Sequence, residues 1–359
     1  MGSLVSRESL MPGLTIGDDK DVVSAPQSIV MIEITVDKLE DKMTKYRQQL
    51  PQLGNQMFLT DGGLETTLIF LQGIELPEFA AISLMDNPEG LQIAKDYFQT
   101  YLQMAQRFER GFILESVTWR GDSDWAEPLG YSQQQLEELN RKAIRMLHDL
   151  RVEYETNKTP IVISGCLGPR GDAYDASEAL TASNAQHYHA EQIRIFREEN
   201  TDLVSALTLT SADEAIGITR AAQAENIPVV ISFTVEIDGR LPSGQTLADA
   251  IEEVDAATGR GPAYFMINCA HPCHFIETLR STDRSFARIR GIRANASCKS
   301  HAELDEATEL DRGDPHELGQ FYLDLQHILP QLTVIGGCCG TDHGHVEAMA
   351  KALLAEPSY

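Results

Sequence analysis

The sequence predicts a (β/α)8 barrel, and three observations carry that prediction. Short apolar, β-branched runs alternate with helical patterns eight times over roughly 300 residues, a length that suits this architecture. The runs are continuously apolar rather than alternating, as strands buried on both faces of a parallel sheet must be. No G-x-G-x-x-G follows the first run, which counts against the competing doubly wound open sheet.

Residues 1 to about 30 are polar and without periodicity, the pattern of a loosely attached extension. Residues 36–50 carry charge and would form a short helix leading into the domain. The organisation expected is therefore an N-terminal extension over 1–50 and a single barrel domain over 51–359. The first strand is Met57-Phe58-Leu59-Thr60, ending in Asp61-Gly62-Gly63. Asn87 caps the next helix, with Pro88 in its first turn, and Leu91, Ala94, Phe98, Tyr101, Leu102, Ala105 and Phe108 recur at helical spacing. Phe112-Ile113-Leu114 and Val117 mark the second strand, and Leu136, Leu139, Ala143, Met146, Leu147 and Leu150 its helix.

Pro160 to Ile163 is the third strand, closed by Gly165, with a helix over 183–199. Strands over 202–209 and 228–233 follow, with helices over 212–226 and 246–257. Residues 263–268 form the sixth strand, and 289–294 a weaker seventh with its helix near 314–328. The eighth, 332–335, precedes a helix at 343–354, with Thr341 or Asp342 as its cap.

Composition excludes several classes. Charged residues are 23% and hydrophobic ones 42% of 359, ordinary values for a globular chain. A net charge of −25 argues against nucleic acid or an anionic membrane as partner. No stretch approaches the ~20 apolar residues of a membrane helix. The first 30 residues show no secretory pattern, and Asp18, Asp19 and Asp21 count against an organelle transit peptide. Six cysteines, two of them adjacent, point to a reducing compartment rather than a disulfide scaffold. The cytoplasm is the expected location. An oligomer is compatible with the sequence but not readable from it.

The chemistry gathers at Gly336-Gly337-Cys338-Cys339-Gly340, just past the eighth strand. Neighbouring strand residues face opposite sides, so adjacent cysteines are poor core filler unless glycines let the backbone aim both sulfurs at one point. Cys269 closes the sixth strand. In a barrel all three sulfurs would stand on the C-terminal rim, where catalytic groups lie. Three thiolates suit zinc with an exchangeable fourth position. Other readings of the same residues are a vicinal disulfide, inert buried thiols, or ligation by His343 and His345 or by His271 and His274. Cys273 and Cys298 read as structural.

These residues also carry a resemblance. Asp61-Gly62-Gly63, Asn268-Cys269, Asn295-Ala296-Ser297 and Gly336-Gly337-Cys338-Cys339-Gly340, in that order from about Phe58 to Ala350, resemble the homocysteine S-methyltransferase family. The resemblance implies a zinc-dependent barrel that methylates the homocysteine thiol from a sulfonium, a betaine-like ammonium or a methylfolate. It implies Cys269, Cys338 and Cys339 as zinc ligands and Asp61 as a holder of the acceptor's amino group. Thr118 matches a rim threonine, and Gly62, Asn268 and Asn295 belong to the substrate-lining motifs. Two departures mark an atypical branch. Ala206-Leu207-Thr208 stands where the family often has Phe-Glu-Thr, and Ser116-Val117-Thr118-Trp119 where it has Thr-Asn-Thr and an aromatic. Glu115 or Glu236 would replace the missing carboxylate, or the acceptor is not homocysteine.

The expected activity is therefore transfer of a methyl group, for example from S-methylmethionine, to homocysteine, giving methionine. The partners are a small-molecule thiol acceptor and a methyl donor. The alternatives are another thiol or selenol acceptor, or a non-catalytic zinc or thiol sensor. Phe233 and Trp119 are candidates to face a cationic donor. The loop Gly165 to Asp172 is a candidate donor-pocket wall, in which Arg170 would hold a carboxylate.

Overall fold

The computed structural model describes residues 44–171, 173–174, 176–178, 180–281, 283–307 and 309–355. Eight parallel strands close into a barrel in sequence order. They are β1 (Phe58–Leu59), β2 (Gly111–Glu115), β3 (Ile161–Leu167), β4 (Leu203–Leu209), β5 (Val229–Phe233), β6 (Tyr264–Asn268), β7 (Ile289–Ala294) and β8 (Val334–Gly337). Closure comes from β1 pairing with β8, Phe58 opposite Val334 and Leu59 opposite Ile335.

A helix follows each strand: α1 (Pro88–Phe108), α2 (Gln133–Tyr154), α3 (Ala182–Glu198), α4 (Ala212–Ala224), α5 (Leu247–Thr258), α6 (Pro272–Leu279), α7 (Pro315–Ile328) and α8 (His343–Ala355). Their starts follow from cap chemistry. Asn87 accepts the Gly90 N–H before α1, and Ser132 with Gln135 forms a reciprocal capping box before α2. Asp342 Oδ1 accepts the Gly344 N–H at the start of α8. A short helix over His301–Asp305, which the sequence pattern does not announce, is interposed after β7.

Strand parity divides the core in two. Phe112, Leu114, Ile231, Phe233, Phe265 and Ile267 face outward into the layer between barrel and helices. Phe58, Ile113, Val162, Leu203, Val230 and Tyr264 face inward and fill the lower barrel. Above them the inward positions turn polar, with Glu115, Ser164, Ser205, Ser232, Asn268 and Arg293 all buried. Tyr46 and Leu50 pack against the lower interior layer, and Tyr46 N donates to Asp202 Oδ1 at 2.9 Å.

The compact unit accordingly begins at Thr44, before the expected boundary at 51. The described part of the expected 36–50 helix, residues 44–50, forms turns instead, because Tyr46, Arg47 and Leu50 are held individually by the barrel bottom. The rest of the expected extension, residues 1–43, lies outside the described residues.

A three-thiol mouth above a buried ion network

Cys269, Cys338 and Cys339 meet at the C-terminal mouth of the barrel. One ligand atom from each lies within 4.8 Å of the others, and Cys269 Sγ stands 3.6 Å from Cys339 Sγ. The backbone explains how residues so remote in sequence converge. A side chain at Gly336 would overlap Thr60 Oγ1, and one at Gly337 would overlap Thr341 Oγ1. Gly336 thus lets β8 run close to the end of β1, and Gly337 lets the following turn fold back against it. Cys338 N then donates to Ala294 O at 2.8 Å, and Thr341 Oγ1 donates to Cys338 O at 2.7 Å.

Cys269 is held in the left-handed region at φ 56°, an uncommon conformation for a residue with a Cβ. Its carbonyl accepts from Asn295 Nδ2 at 3.0 Å and from His301 Nε2 at 2.8 Å, and its N–H donates to Arg293 O at 3.1 Å. These contacts hold the turn that aims its sulfur at the pair. Asn268 links the strand ends around it. It accepts from Thr208 N at 2.8 Å and Ser232 Oγ at 2.6 Å, donates to Thr208 Oγ1 at 2.8 Å, and its Nδ2 lies 3.9 Å from Cys338 Sγ.

Below the sulfurs, Arg293 reaches from β7 across the barrel interior. Its Nη2 donates to Asp61 Oδ1 at 2.6 Å, its Nη1 pairs with Glu115, and its Nε donates to Gly337 O at 3.1 Å. Tyr97 OH adds a bond to Asp61 Oδ2 at 3.1 Å. Burial pushes the carboxyls of Asp61 and Glu115 up, against the pull of the guanidinium. Burial also raises Glu65, at the cavity edge, to about 7.

A cavity open to solvent is lined by Asp61, Glu65, Glu115 and Arg293 and by the three cysteines. A second, outer cavity shares Thr66, Phe79, Trp119, Tyr174 and Cys339 with it, so the two meet beside Cys339. Tyr174 OH lies 3.0 Å from Cys269 Sγ.

The three thiols fit a soft cation. Sulfurs on one tetrahedral zinc, with bonds of about 2.3 Å, stand about 3.8 Å apart, close to the 3.6 Å of Cys269 and Cys339. Hydrogen bonds from Cys338 and Cys339 pull the Cys269 thiol well down, while the same contact with Cys269 pushes Cys339 up. All six cysteines are free, which removes the vicinal disulfide. His345 is not a ligand: its ring bonds Asp342 Oδ1 and Arg312 O, both at 2.8 Å. His271 caps α6 by accepting the Cys273 N–H at 3.2 Å.

Of the sequence-predicted substrate residues, Asp61, Gly62, Glu115 and Asn268 line the first cavity. Thr118 and Glu236 line neither cavity. The Thr118 hydroxyl turns to Cys166 O at 2.8 Å, and Glu236 sits 3.5 Å from His301 Nδ1. Asn295 lies behind Cys269 as a brace rather than on the wall. Phe233, expected to face a donor, points outward onto Phe265 with ring centroids 6.1 Å apart; strand parity decides this. Arg170, expected to hold a carboxylate, pairs with Asp124 at 2.9 Å on the surface. Within the expected donor loop, Cys166 alone lines the first cavity among the described residues, and Asp172 lies outside them. Leu207, in place of the family's glutamate, does line it.

Sequence reasoning missed Arg293, Glu65 and Tyr174. Two arginines, Arg290 and Arg293, in the short strand Ile289–Ala294 were the available signal, and position alone does not say which of them enters the barrel. Cys273 and Cys298, read as structural, are exposed.

A family model described as homocysteine S-methyltransferase matches residues 58–353. Among curated proteins, homocysteine S-methyltransferase 2 of Zea mays is 24% identical over 340 residues, covering 87% of this chain and 94% of its own. Selenocysteine Se-methyltransferase of Brassica oleracea var. italica is 23% identical over 328 residues, covering 84% and 90%. The homocysteine methyltransferase MmuM of Escherichia coli, in its oxidized form, superposes with a TM-score of 0.66 at 17% identity over 86% of this chain and 99% of its own. Its metallated form gives 0.65 at 17% identity over 85% and 99%. At that identity the superposition bears on the barrel fold.

Proposed function

The chain belongs to the homocysteine S-methyltransferase family and is a methyltransferase, and from that premise we propose that it moves a methyl group from a sulfonium donor such as S-methylmethionine to the thiol of homocysteine, giving methionine. The observation that carries the reading is the convergence of three sulfurs within 4.8 Å at the mouth of the barrel. We assign zinc to Cys269, Cys338 and Cys339. When bound, the ion would lower the pKa of an acceptor thiol so that it is present as thiolate at neutral pH.

The chain's own residues bind, orient and exclude water. The acceptor belongs in the deeper cavity, its sulfur toward the cysteines and its ammonium toward Asp61 and Glu65. Two carboxyl groups, Asp61 and Glu115, share the single guanidinium of Arg293, which leaves the network open to a further cation in that cavity. The donor belongs in the outer cavity, where Phe70, Phe79 and Trp119 offer aromatic surface to a sulfonium. The acceptor sulfur forms its bond to the methyl carbon as the carbon–sulfonium bond breaks. The released electron pair stays on the donor sulfur, which leaves as a neutral thioether. Opposite charges cancel in this step, so the apolar wall of Leu64, Phe98, Val117 and Leu207 favours it by excluding water. We assign the reaction to the cytoplasm, where free thiols stay reduced.

A second reading keeps the chemistry and changes the acceptor to a selenol. Leu207 on the cavity wall favours it, because no carboxylate stands at that position. An acceptor screen with S-methylmethionine separates the two: faster turnover of homocysteine than of selenocysteine supports the first. Cys338→Ser with Cys339→Ser should remove the bound zinc and lower activity by more than about 100-fold, since even groups that only orient metal ligands contribute about 10–100-fold. Full activity in a folded, metal-free protein ends the zinc assignment.

A further inference from the structure

A second group of soft donors lies on the outer side of the same rim. His271, Cys273 and Cys298 each offer a ligand atom within 4.8 Å of the others. The first two stand at the start of α6, just past Cys269, and the third in the segment after β7. We propose that these three residues form a second site for a zinc-class ion, separate from the three-cysteine mouth and independent of the methyl-transfer reading.

The geometry suits the ion. Cys298 Sγ lies 3.3 Å from His271 Nδ1 and 3.6 Å from Nε2. Sulfur and imidazole nitrogen on one tetrahedral zinc stand about 3.6 Å apart, from bonds of about 2.3 and 2.0–2.1 Å. The imidazole lone pair now accepts a long bond from Cys273 N at 3.2 Å, a contact that an ion replaces. Free cysteine is among the most buried of residue types, yet Cys273 and Cys298 are both exposed and adjacent. The fourth position opens on a cleft that His271 and Cys298 share with Glu303, Asp311, Asp314 and Glu317. Its four carboxylates, offset by Lys299 paired to Asp311 at 3.3 Å, favour a cation.

The location gives the site a consequence. Asn295, three residues before Cys298, donates to the Cys269 carbonyl, and His271 lies two residues past Cys269. An ion joining His271, Cys273 and Cys298 ties together the two segments that hold Cys269 in its left-handed conformation.

The test counts metal on the full chain, reduced, loaded with Zn²⁺ and freed of excess. About two equivalents are expected for the native protein and about one for Cys298→Ser or Cys273→Ser, whose exposed side chains leave the core intact. One equivalent in the native protein, unchanged by Cys298→Ser, overturns the proposal. So does a Cys273–Cys298 disulfide that persists under reductant during loading. If Cys298→Ser loses both equivalents, Co²⁺ loading of the Cys338→Ser, Cys339→Ser double variant decides. A thiolate-to-cobalt charge-transfer band supports the second site, and its absence removes it. Failure of the methyl-transfer reading would show in the acceptor screen and leave these counts untouched.

Discussion

The lower and upper halves of the barrel interior are built from the same eight strands by opposite means. Below, Phe58, Ile113, Val162, Leu203, Val230 and Tyr264 fill the space with apolar volume. Above, Arg293, Asp61 and Glu115 fill it with charge, satisfied internally and buried to within 7% of full exclusion. The lower layer is stabilised by removal of apolar surface from water and tolerates small losses of volume. In the upper layer each ion is retained only because its partners are present. The difference teaches where sequence change is affordable: packing below is forgiving, whereas the ion network above is all-or-none.

The largest effect expected from breaking this contrast is at Arg293. Arg293→Met leaves two buried carboxylates without their counter-charge and should lower stability by about 3–5 kcal/mol in urea unfolding. A loss under about 1 kcal/mol would mean that Asp61 and Glu115 simply take up protons. A smaller effect is expected in the lower half, on β2 two residues before Glu115. Ile113→Val should cost about 0.5–1.5 kcal/mol, with KM for the acceptor unchanged. A shifted KM would mean that the two halves are coupled.

The smallest effect is a slope. Glu65 titrates at about 7 in the fold, against 4.5 as its ordinary value. The folded chain therefore keeps a proton that the unfolded chain has lost, so stability falls as pH rises from about 4.5 to about 7 and is level above that. Unfolding curves of the metal-stripped protein across this window should lose that part of the slope in Glu65→Gln. An identical slope would place the shifted group elsewhere.

The barrel was legible because burial on both faces leaves a signature, continuous apolar runs, that needs no knowledge of parity. The sulfurs were legible because cysteines at the ends of strands distant in sequence share one rim. What parity decides was harder to read. Phe233 and Arg293 both end or interrupt apolar runs, but the first faces the helices and the second the cavity. Thr118 stood at the expected strand end, yet its hydroxyl found Cys166 O. Tyr174 sits in a stretch with no periodic pattern, and only the folded chain brings its hydroxyl to Cys269. The exposed thiols of Cys273 and Cys298 read as structural because solvent access is not written in local sequence.

Spanning the barrel from β7 to Asp61 and Glu115, the Arg293 side chain is also a floor. It fixes how deep any guest can descend, so the span from Asp61 up to the cysteines is a fixed ruler against which an acceptor is measured. A longer molecule cannot sink its ammonium further to bring its sulfur level with the three thiols, and selection by length is thereby built into the strands rather than the entrance loops.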